Sequence, residues 1–182
     1  MARTTFQGPV RSLGGFYTQG PGSIVAITAS TTLNPQDHGG RIISVGGTLA
    51  ANVVLTLPTI NTSANPASSG PGQDPNTINN QGVVYTIWVP TTIATSSLKI
   101  GVTSGSSDLF LGTIFGVDTD SSNALVAYTA NGSSNDFINF NGGTTGGVAG
   151  TWVQIFALAA NKYMVNGIAL GSGTVATPFA DS

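Results

Sequence analysis

The only histidine of the chain, His38, is the first candidate for a catalytic base. Asp37 precedes it directly, but consecutive side chains on an extended chain point to opposite sides, so no Asp–His pair is implied. The chain has no cysteine and no Gly-x-Ser-x-Gly segment, which are common sources of a nucleophile. Because Pro and Gly residues surround it, we predict that His38 is a solvated turn residue.

A possible cation site is indicated by Asp118, Asp120 and Asn123, which place three oxygen-bearing side chains within six residues. Hard cations such as Ca²⁺ accept such ligands. The segment lacks the Gly and the closing Glu of an EF-hand loop. A β-turn held by Asp and Asn side-chain hydrogen bonds is therefore the favoured interpretation, and we expect neither a metal nor a cofactor.

Carbohydrate chemistry would need paired carboxylates or exposed aromatic rings. All seven acidic residues are Asp, and their spacing singles out no pair at the separation of about 5–9.5 Å that glycoside hydrolysis requires. Trp88 and Trp152 could stack on sugar rings, but both lie in apolar segments, so packing in the core is the favoured interpretation. An enzyme is therefore the least favoured class of protein.

Charge is scarce in this chain of 182 residues: 7% are charged, and the formal net charge is −2, against about 25% charged residues in an average domain. An uncharged surface rich in Ser, Thr and Asn costs little to desolvate, which favours a surface that another protein covers. Apolar segments such as 83–90 are much shorter than a membrane helix. The basic residues form no stripe that could neutralise nucleic-acid phosphates: Arg3, Arg11, Arg41, Lys99 and Lys162.

The elements that must position these residues are short segments with a hydrophobic period of two, separated by Gly, Asn, Ser and Pro. This pattern predicts an all-β fold, a single β-sandwich, with a jelly roll as one form that it could take. The predicted strands are Ile24–Thr28, Arg41–Val45, Asn52–Leu57, Val83–Val89, Leu98–Val102, Leu109–Phe115, Ala124–Thr129, Asp136–Phe140, Thr151–Leu158 and Lys162–Asn166.

The alternation also predicts which strand faces are buried. Val53, Leu55 and Leu57 alternate with mostly polar residues, so one face of that strand should meet solvent. In 83–89 both sets of positions are largely apolar, which predicts that both faces are covered. The Asn-Gly pairs at 131–132, 141–142 and 166–167 predict hairpins or tight turns, and Ile155–Asn161 is interpreted as a strand that runs into a turn.

Two segments fall outside this pattern. Residues 1–23 combine Gly-Pro pairs with isolated aromatic residues, and we interpret them as an extended N-terminal arm that docks on a neighbouring chain, with a frayed tail as the alternative. Residues 24–182 are assigned to the β-sandwich. Within it, the Pro- and Gly-rich segment 60–81 is predicted to be a long loop.

A series of short segments follows in order from residue 39 to the C-terminus: Gly40-Arg-Ile-Ile-Ser-Val45, Val53-Val-Leu-Thr-Leu-Pro58, Val84-Tyr-Thr-Ile-Trp-Val89, Leu98-Lys-Ile100, Asn139-Phe-Asn-Gly-Gly-Thr-Thr-Gly-Gly147, Gly150-Thr-Trp-Val-Gln154, Ala160-Asn-Lys-Tyr-Met-Val-Asn-Gly167 and Ala176-Thr-Pro-Phe179. In this order they resemble the capsid decoration (cement) proteins of tailed bacteriophages. Residues 1–38 and the loop 60–81 lie outside the resemblance.

The resemblance implies a structural virion protein, made in the host bacterial cytoplasm, that binds the outer capsid surface and cements adjacent major capsid subunits. It also implies a homo-oligomer, with a trimer favoured, and no nucleic-acid or membrane partner. Residues of the arm are the expected capsid contacts: Phe6, Arg11, Leu13, Phe16 and Tyr17. The alternative is a phage tail, fibre or knob protein that binds host-surface glycans.

Overall fold

The structure, a computed structural model, describes residues 12–13, 19–63, 79–120 and 124–181. These residues form two mixed β-sheets whose inner faces share one hydrophobic core. The described part of the chain is nearly all β, which confirms the predicted all-β sandwich.

The described residues contain a 3₁₀ turn at Pro21–Ser23, one short helix, α1 (Pro35–His38), and twelve strands. All ten predicted strands are present. The two that were not predicted are two-residue strands, which are too short to show an alternation. The strands are β1 (Ile24–Ala26), β2 (Thr31–Thr32), β3 (Ile42–Ser44), β4 (Val53–Leu57), β5 (Val84–Trp88), β6 (Leu98–Val102), β7 (Leu109–Asp118), β8 (Leu125–Asn131), β9 (Phe137–Phe140), β10 (Trp152–Ala159), β11 (Lys162–Gly171) and β12 (Phe179–Ala180).

The first six strands alternate between the two sheets. β1, β3 and β5 are parallel neighbours in the seven-stranded sheet, and β2, β4 and β6 are parallel neighbours in the five-stranded sheet. Parallel neighbours need a crossover connection, which is usually a helix. Here a strand of the opposite sheet makes each crossover, so this half of the chain winds as a flattened coil.

The remaining strands extend both sheets. The order of the larger sheet is β1-β3-β5-β10-β11-β7-β8, and that of the smaller one is β12-β9-β6-β4-β2. β11 is hydrogen-bonded to β10 on one side, antiparallel, and to β7 on the other, parallel. A jelly roll is built from antiparallel Greek keys, whereas five strand pairs here are parallel, so the jelly-roll form is not confirmed.

The core confirms one prediction about strand faces and overturns another. Val53, Leu55 and Leu57 are buried, as the alternation of β4 predicts. In β5 only one face is covered: Tyr85 is fully buried, but Trp88 is exposed. The prediction that both faces of 83–89 are covered is therefore wrong, because the second sheet packs against only one of them.

Two of the three Asn-Gly pairs form tight turns, as predicted. Gly132 and Gly142 adopt positive φ angles of 69° and 76°. The preceding asparagines stabilise these turns through their side chains: Oδ1 of Asn131 accepts the backbone N–H of Ser133, and Oδ1 of Asn141 accepts that of Gly143, at 2.9 and 2.8 Å. The β10–β11 hairpin turns at Asn161, with φ 62°, which confirms the predicted strand that runs into a turn.

The third pair, Asn166-Gly167, does not form a turn, and that prediction is wrong. Both residues lie inside β11, which continues to Gly171. A side chain at position 167 would overlap the carbonyl oxygen of Trp152 in the neighbouring strand β10. The glycine therefore permits a close approach of two strands, and pairing on both sides of β11 outweighs the local preference for a turn.

Candidate protein-docking face

The side of the seven-stranded sheet that faces away from the core, which we call the outer face, carries three rows of side chains. Strand register aligns them across β5, β10, β11, β7 and β8. The polar row, in the middle, consists of hydroxyl and amide side chains: Thr86, Gln154, Asn166, Thr113 and Thr129. The tryptophan row, on one side of it, is apolar: Trp88, Trp152, Ile168, Phe115 and Ala127. The methionine row, on the other side, is also apolar: Val84, Phe156, Met164 and Leu111.

Each apolar row includes large apolar side chains that are more than a third exposed, and the other large side chains of both rows are half-buried. Phe115 is 45% exposed, Trp88 37% and Leu111 36%. Beyond the tryptophan row, Leu125 of the edge strand β8 is 67% exposed. Contiguous exposed apolar surface on a soluble protein typically marks an interaction site.

The polar row holds neutral groups that hydrogen-bond to one another. The hydroxyl groups of Thr113 and Thr129 lie 3.1 Å apart. Nε2 of Gln154 donates to Oγ1 of Thr86 at 3.4 Å. Because these groups are uncharged and partly paired, covering them with a partner costs much less than burying an ion.

Charge is confined to the margin of the outer face. Among its strand residues only Lys162, at the start of β11, is charged, and its ammonium donates to the carbonyl oxygen of Gly132 at 2.6 Å. The opposite side of the molecule differs: the outward side of the five-stranded sheet carries Lys99, whose Nζ lies 5.0 Å from the centre of the Phe137 ring. The absence of central charge therefore distinguishes the larger sheet.

A shallow groove crosses the outer face where β3, β5 and β10 meet. Trp88 and Trp152 are register partners, and they line the groove together with Ile42, Thr86 and Gly150. The prediction that both tryptophans pack in the core is therefore wrong. A signal in the sequence could have located Trp88: it has the opposite parity to the buried Tyr85 and Ile87 of the same strand.

Most of the predicted capsid contacts lie outside the described residues: Phe6, Arg11, Phe16 and Tyr17. Leu13 is described, and its side chain is 88% exposed. Exposure of a leucine to this extent agrees with a side chain that a partner covers, although single exposed leucines are common. Contact between this segment and a capsid stays a prediction.

A buried polar cluster joins the two sheets near the ends of the predicted loop 60–81, of which residues 64–78 lie outside the described part. Oδ2 of Asp108 accepts the backbone N–H of Ile60 at 3.1 Å. Burial raises the pKa of Asp108, and the hydrogen bond from Ile60 offsets part of that rise. Burial likewise raises the pKa of Tyr85 and of Tyr163, and for Tyr163 the nearby Tyr85 and Asp108 add to it. Each of these three side chains is at most 1% exposed, so the cluster supports the fold and cannot meet a substrate.

His38 is not the solvated residue that the sequence predicts. It ends helix α1, it is 7% exposed, and its Nδ1 accepts the backbone N–H of Asn34 at 3.1 Å. Asn34 caps the helix through Oδ1, which accepts the N–H of Asp37 at 2.7 Å. This capped turn places the imidazole inward and leaves the neighbouring Asp37 exposed, so the two side chains do not form a catalytic pair.

Asp118 makes the local side-chain hydrogen bond of an Asx turn, as the favoured interpretation predicts, whereas Asp120 is bonded to the backbone of a segment distant in sequence. Oδ1 of Asp118 accepts the N–H of Asp120 at 3.0 Å, and Oδ2 of Asp120 accepts the N–H of Gly173 at 2.6 Å. Asn123 lies outside the described residues. Within the described ranges, no group of three His, Cys, Asp or Glu side chains is placed to hold a metal ion.

Comparison of the chain with protein-family models, with curated proteins and with solved structures finds no match. In the part of the chain that the structure describes, no helix has the length and apolarity needed to cross a membrane.

Proposed function

We propose that this chain is a non-catalytic structural protein that binds the outside of a bacteriophage capsid and cements adjacent major capsid subunits. The outer face is the observation that carries this proposal, since its two exposed apolar rows and uncharged polar row are suited to being covered by protein. The sequence segments that resemble capsid decoration proteins supply the identity of the assembly. In a virion such an uncharged, partly apolar face would stay covered, because the particle holds many copies of each protein in fixed contact.

The energetics of such a surface favour association. Apolar area removed from water contributes about 25 cal/mol per Å², and Trp88, Phe115 and Leu111 keep more than a third of their surface exposed in the isolated chain. Covering them is favourable, and no central charge opposes it. Individually weak contacts can give tight binding to a shell, because once one contact has formed, the linked binding sites face the shell at a high effective concentration.

The N-terminal segment is the second proposed contact. The described chain enters the sandwich through the 3₁₀ turn at Pro21–Ser23, which leads into β1 at the edge of the seven-stranded sheet. Because this turn lies at an edge of the sheet, contact of the preceding segment with a neighbouring subunit would not require it to cross the core. Phe6, Arg11, Leu13, Phe16 and Tyr17 are the side chains that we assign to the capsid.

Co-sedimentation with capsids tests the proposal. The full chain is mixed with shells assembled from the major capsid protein of the genome that encodes it, and the shells are then pelleted. We expect the chain to pellet at a saturable ratio to the capsid protein. Protein that stays in the supernatant at every concentration contradicts the proposal.

A matched pair of variants shows whether the outer face contributes. Thr113 lies in the polar row, and Thr56 lies on the outward side of the five-stranded sheet; both are half-buried strand residues. Thr113→Glu places a charge in the surface to be covered and should weaken pelleting about tenfold or more. Thr56→Glu adds the same charge elsewhere and should leave pelleting unchanged. Equal binding by both variants would exclude the outer face from the contact.

Exposure of Trp88 beside Trp152 favours a second candidate, a tail, fibre or knob protein that binds host-surface glycans. Sugar rings stack on exposed aromatic side chains, and the amide of Gln154 lies in the adjacent row. A glycan array that gives reproducible hits with the full chain, lost in Trp88→Ala and Trp152→Ala, would support this candidate. An array without hits would remove it.

A further inference from the structure

We infer that a second copy of this chain covers the outer face, in a face-to-face pair related by a two-fold axis close to Asn166. The inference rests on the proposed function only in taking the outer face as a protein-binding surface. It goes further by assigning a second copy, and not the capsid, as the direct occupant of that surface, with Asn166 at its centre. Capsid contact then falls to the N-terminal segments of the two copies, and a charge in the outer face weakens pelleting because losing the pair loses the avidity of two linked contacts.

The arrangement of the rows is self-complementary. An apolar row lies on each side of the polar row; the tryptophan row runs through all five strands, and the methionine row runs through four and ends at Asn131 of β8. Consider a two-fold axis that lies in the plane of the interface and runs either along the rows or across them. In both cases the rotation places the polar row of one copy opposite the polar row of the other. The same rotation places apolar side chains on apolar side chains. Two-fold pairs need such self-matching surfaces, because the same patch serves both partners.

Asn166 occupies the centre of this pattern. It is the third of five residues in the polar row, and it lies on β11, the middle strand of the five. Asparagine is depleted inside strands, and the turn that Asn-Gly favours does not form here. Places where the fold overrides a local preference are often functional or strained sites.

The side chain of Asn166 is suited to meet its own copy. Its amide has no hydrogen-bond partner among the residues that the structure describes, and the residue is half-buried. A primary amide carries both a donor and an acceptor. Two such amides related by a two-fold axis can therefore exchange two hydrogen bonds, which satisfies groups that covering the face would otherwise leave unpaired.

The size of the face agrees with a stable pair. Neighbouring strands lie about 4.8 Å apart and alternate residues on one strand about 6.7 Å apart. The five strands of the pattern have three to five outward positions each and thus span roughly 24 by 28 Å, or about 670 Å². A specific interface of standard size buries about 800 Å² on each partner. Stacked sheets of this kind pack with about 10 Å between them, which leaves room for the tryptophan and methionine rows to interdigitate.

Mass measurement of the full chain in solution is the first test. We expect light scattering after gel filtration to give twice the mass of the 18.3 kDa chain. Asn166→Asp places two carboxylates opposite each other and should raise the dissociation constant of the pair about tenfold or more. Thr56→Asp adds a charge on the opposite side of the molecule and should leave the pair intact. A monomeric wild-type chain, or a trimer such as the resemblance implies, would overturn the inference.

A charge-exchange experiment tests the two-fold axis itself. Asn166→Asp and Asn166→Lys should each weaken pairing alone, since each meets a like charge. An equimolar mixture should recover the pair, because Asp then faces Lys. Recovery also shows that both variants are folded. If the mixture stays monomeric although each variant unfolds at a temperature close to that of the wild type, residue 166 does not meet its own copy.

The two proposals fail in different ways. A chain that pairs in solution but does not pellet with shells contradicts the proposed function and leaves the pair standing. A chain that pellets as a monomer, with Asn166→Asp unaffected, retains the proposed function and rejects the pair.

Discussion

The hydroxyl of Tyr163 donates a hydrogen bond to the carbonyl oxygen of Pro58, 2.5 Å away. This bond joins strand β11 of the seven-stranded sheet to the residue that follows β4 in the five-stranded sheet. Tyr85 is buried to the same extent, but its hydroxyl has no hydrogen-bond partner among the described residues. Two equally buried tyrosines thus differ in whether the hydroxyl group is hydrogen-bonded, and replacing each with phenylalanine isolates the effect of that bond.

We predict opposite effects of removing these two hydroxyl groups. Tyr163→Phe leaves the carbonyl oxygen of Pro58 without this donor and should lower the free energy of unfolding by about 1–2 kcal/mol. Tyr85→Phe removes a buried group that is unpaired in the described structure and should leave the free energy of unfolding unchanged or raise it by up to about 1 kcal/mol. Urea unfolding of both variants and the wild type measures the difference. A larger loss for Tyr85→Phe than for Tyr163→Phe would show that this bond is not the source of stability.

The buried carboxyl group of Asp108 should make stability depend on pH. Its pKa is raised in the folded state by burial, so the folded protein binds the proton more tightly than the unfolded chain does. The resulting stabilisation is complete below the unfolded pKa of about 4 and is lost as the pH rises through the folded pKa. We expect Asp108→Asn to remove this loss and to gain stability relative to the wild type as the pH increases from about 4 toward neutrality.

Unfolding measured by urea at several pH values between about 3.5 and 7 checks this prediction. Asp37→Asn is the control, since that carboxylate is exposed on helix α1. If the gain in unfolding free energy of Asp108→Asn over the wild type became smaller as the pH rises, the prediction would be contradicted.

Gly167 should tolerate no side chain. A methyl group there would overlap the carbonyl oxygen of Trp152 and would lie within 2.8 Å of the Cα of Val153. We predict that Gly167→Ala lowers the free energy of unfolding by about 1–3 kcal/mol, as overpacking does. Gly22→Ala is the matched control, because a methyl group at position 22 meets nothing within 4 Å. Thermal unfolding of both variants should separate them; similar midpoints would mean that β10 can move away at little cost.

Deletion of residues 2–20 should separate folding from capsid binding. The first strand begins at Ile24, so the deletion removes no strand; the hydrogen bonds it removes include that from the Ser23 N–H to the carbonyl oxygen of Gly20. We expect the thermal unfolding midpoint to stay near that of the full chain, while affinity for capsid shells falls. Unchanged affinity of the truncated chain would remove the N-terminal segment from the contact.

Much of the local structure follows from the sequence alone. The period-two alternation located ten strands and identified Val53, Leu55 and Leu57 as inward-facing, because backbone geometry places alternate side chains on opposite sides. Asn131-Gly132 and Asn141-Gly142 predicted turns, because Gly accepts the positive φ that those turns require. The scarcity of charge likewise indicated a surface suited to being covered, before any face could be specified.

The tertiary structure decided which strands pair and which sides they cover. Alternation assigns residues to two faces, but only the position of the second sheet determines that Tyr85 lies inside and Trp88 outside. Pairing of β11 with strands on both sides turned Asn166-Gly167 from a predicted turn into the centre of a sheet, because two ladders of hydrogen bonds outweigh one local turn preference. The parallel winding of β1 to β6 depends on contacts between residues far apart in the chain, and no local pattern carries that information.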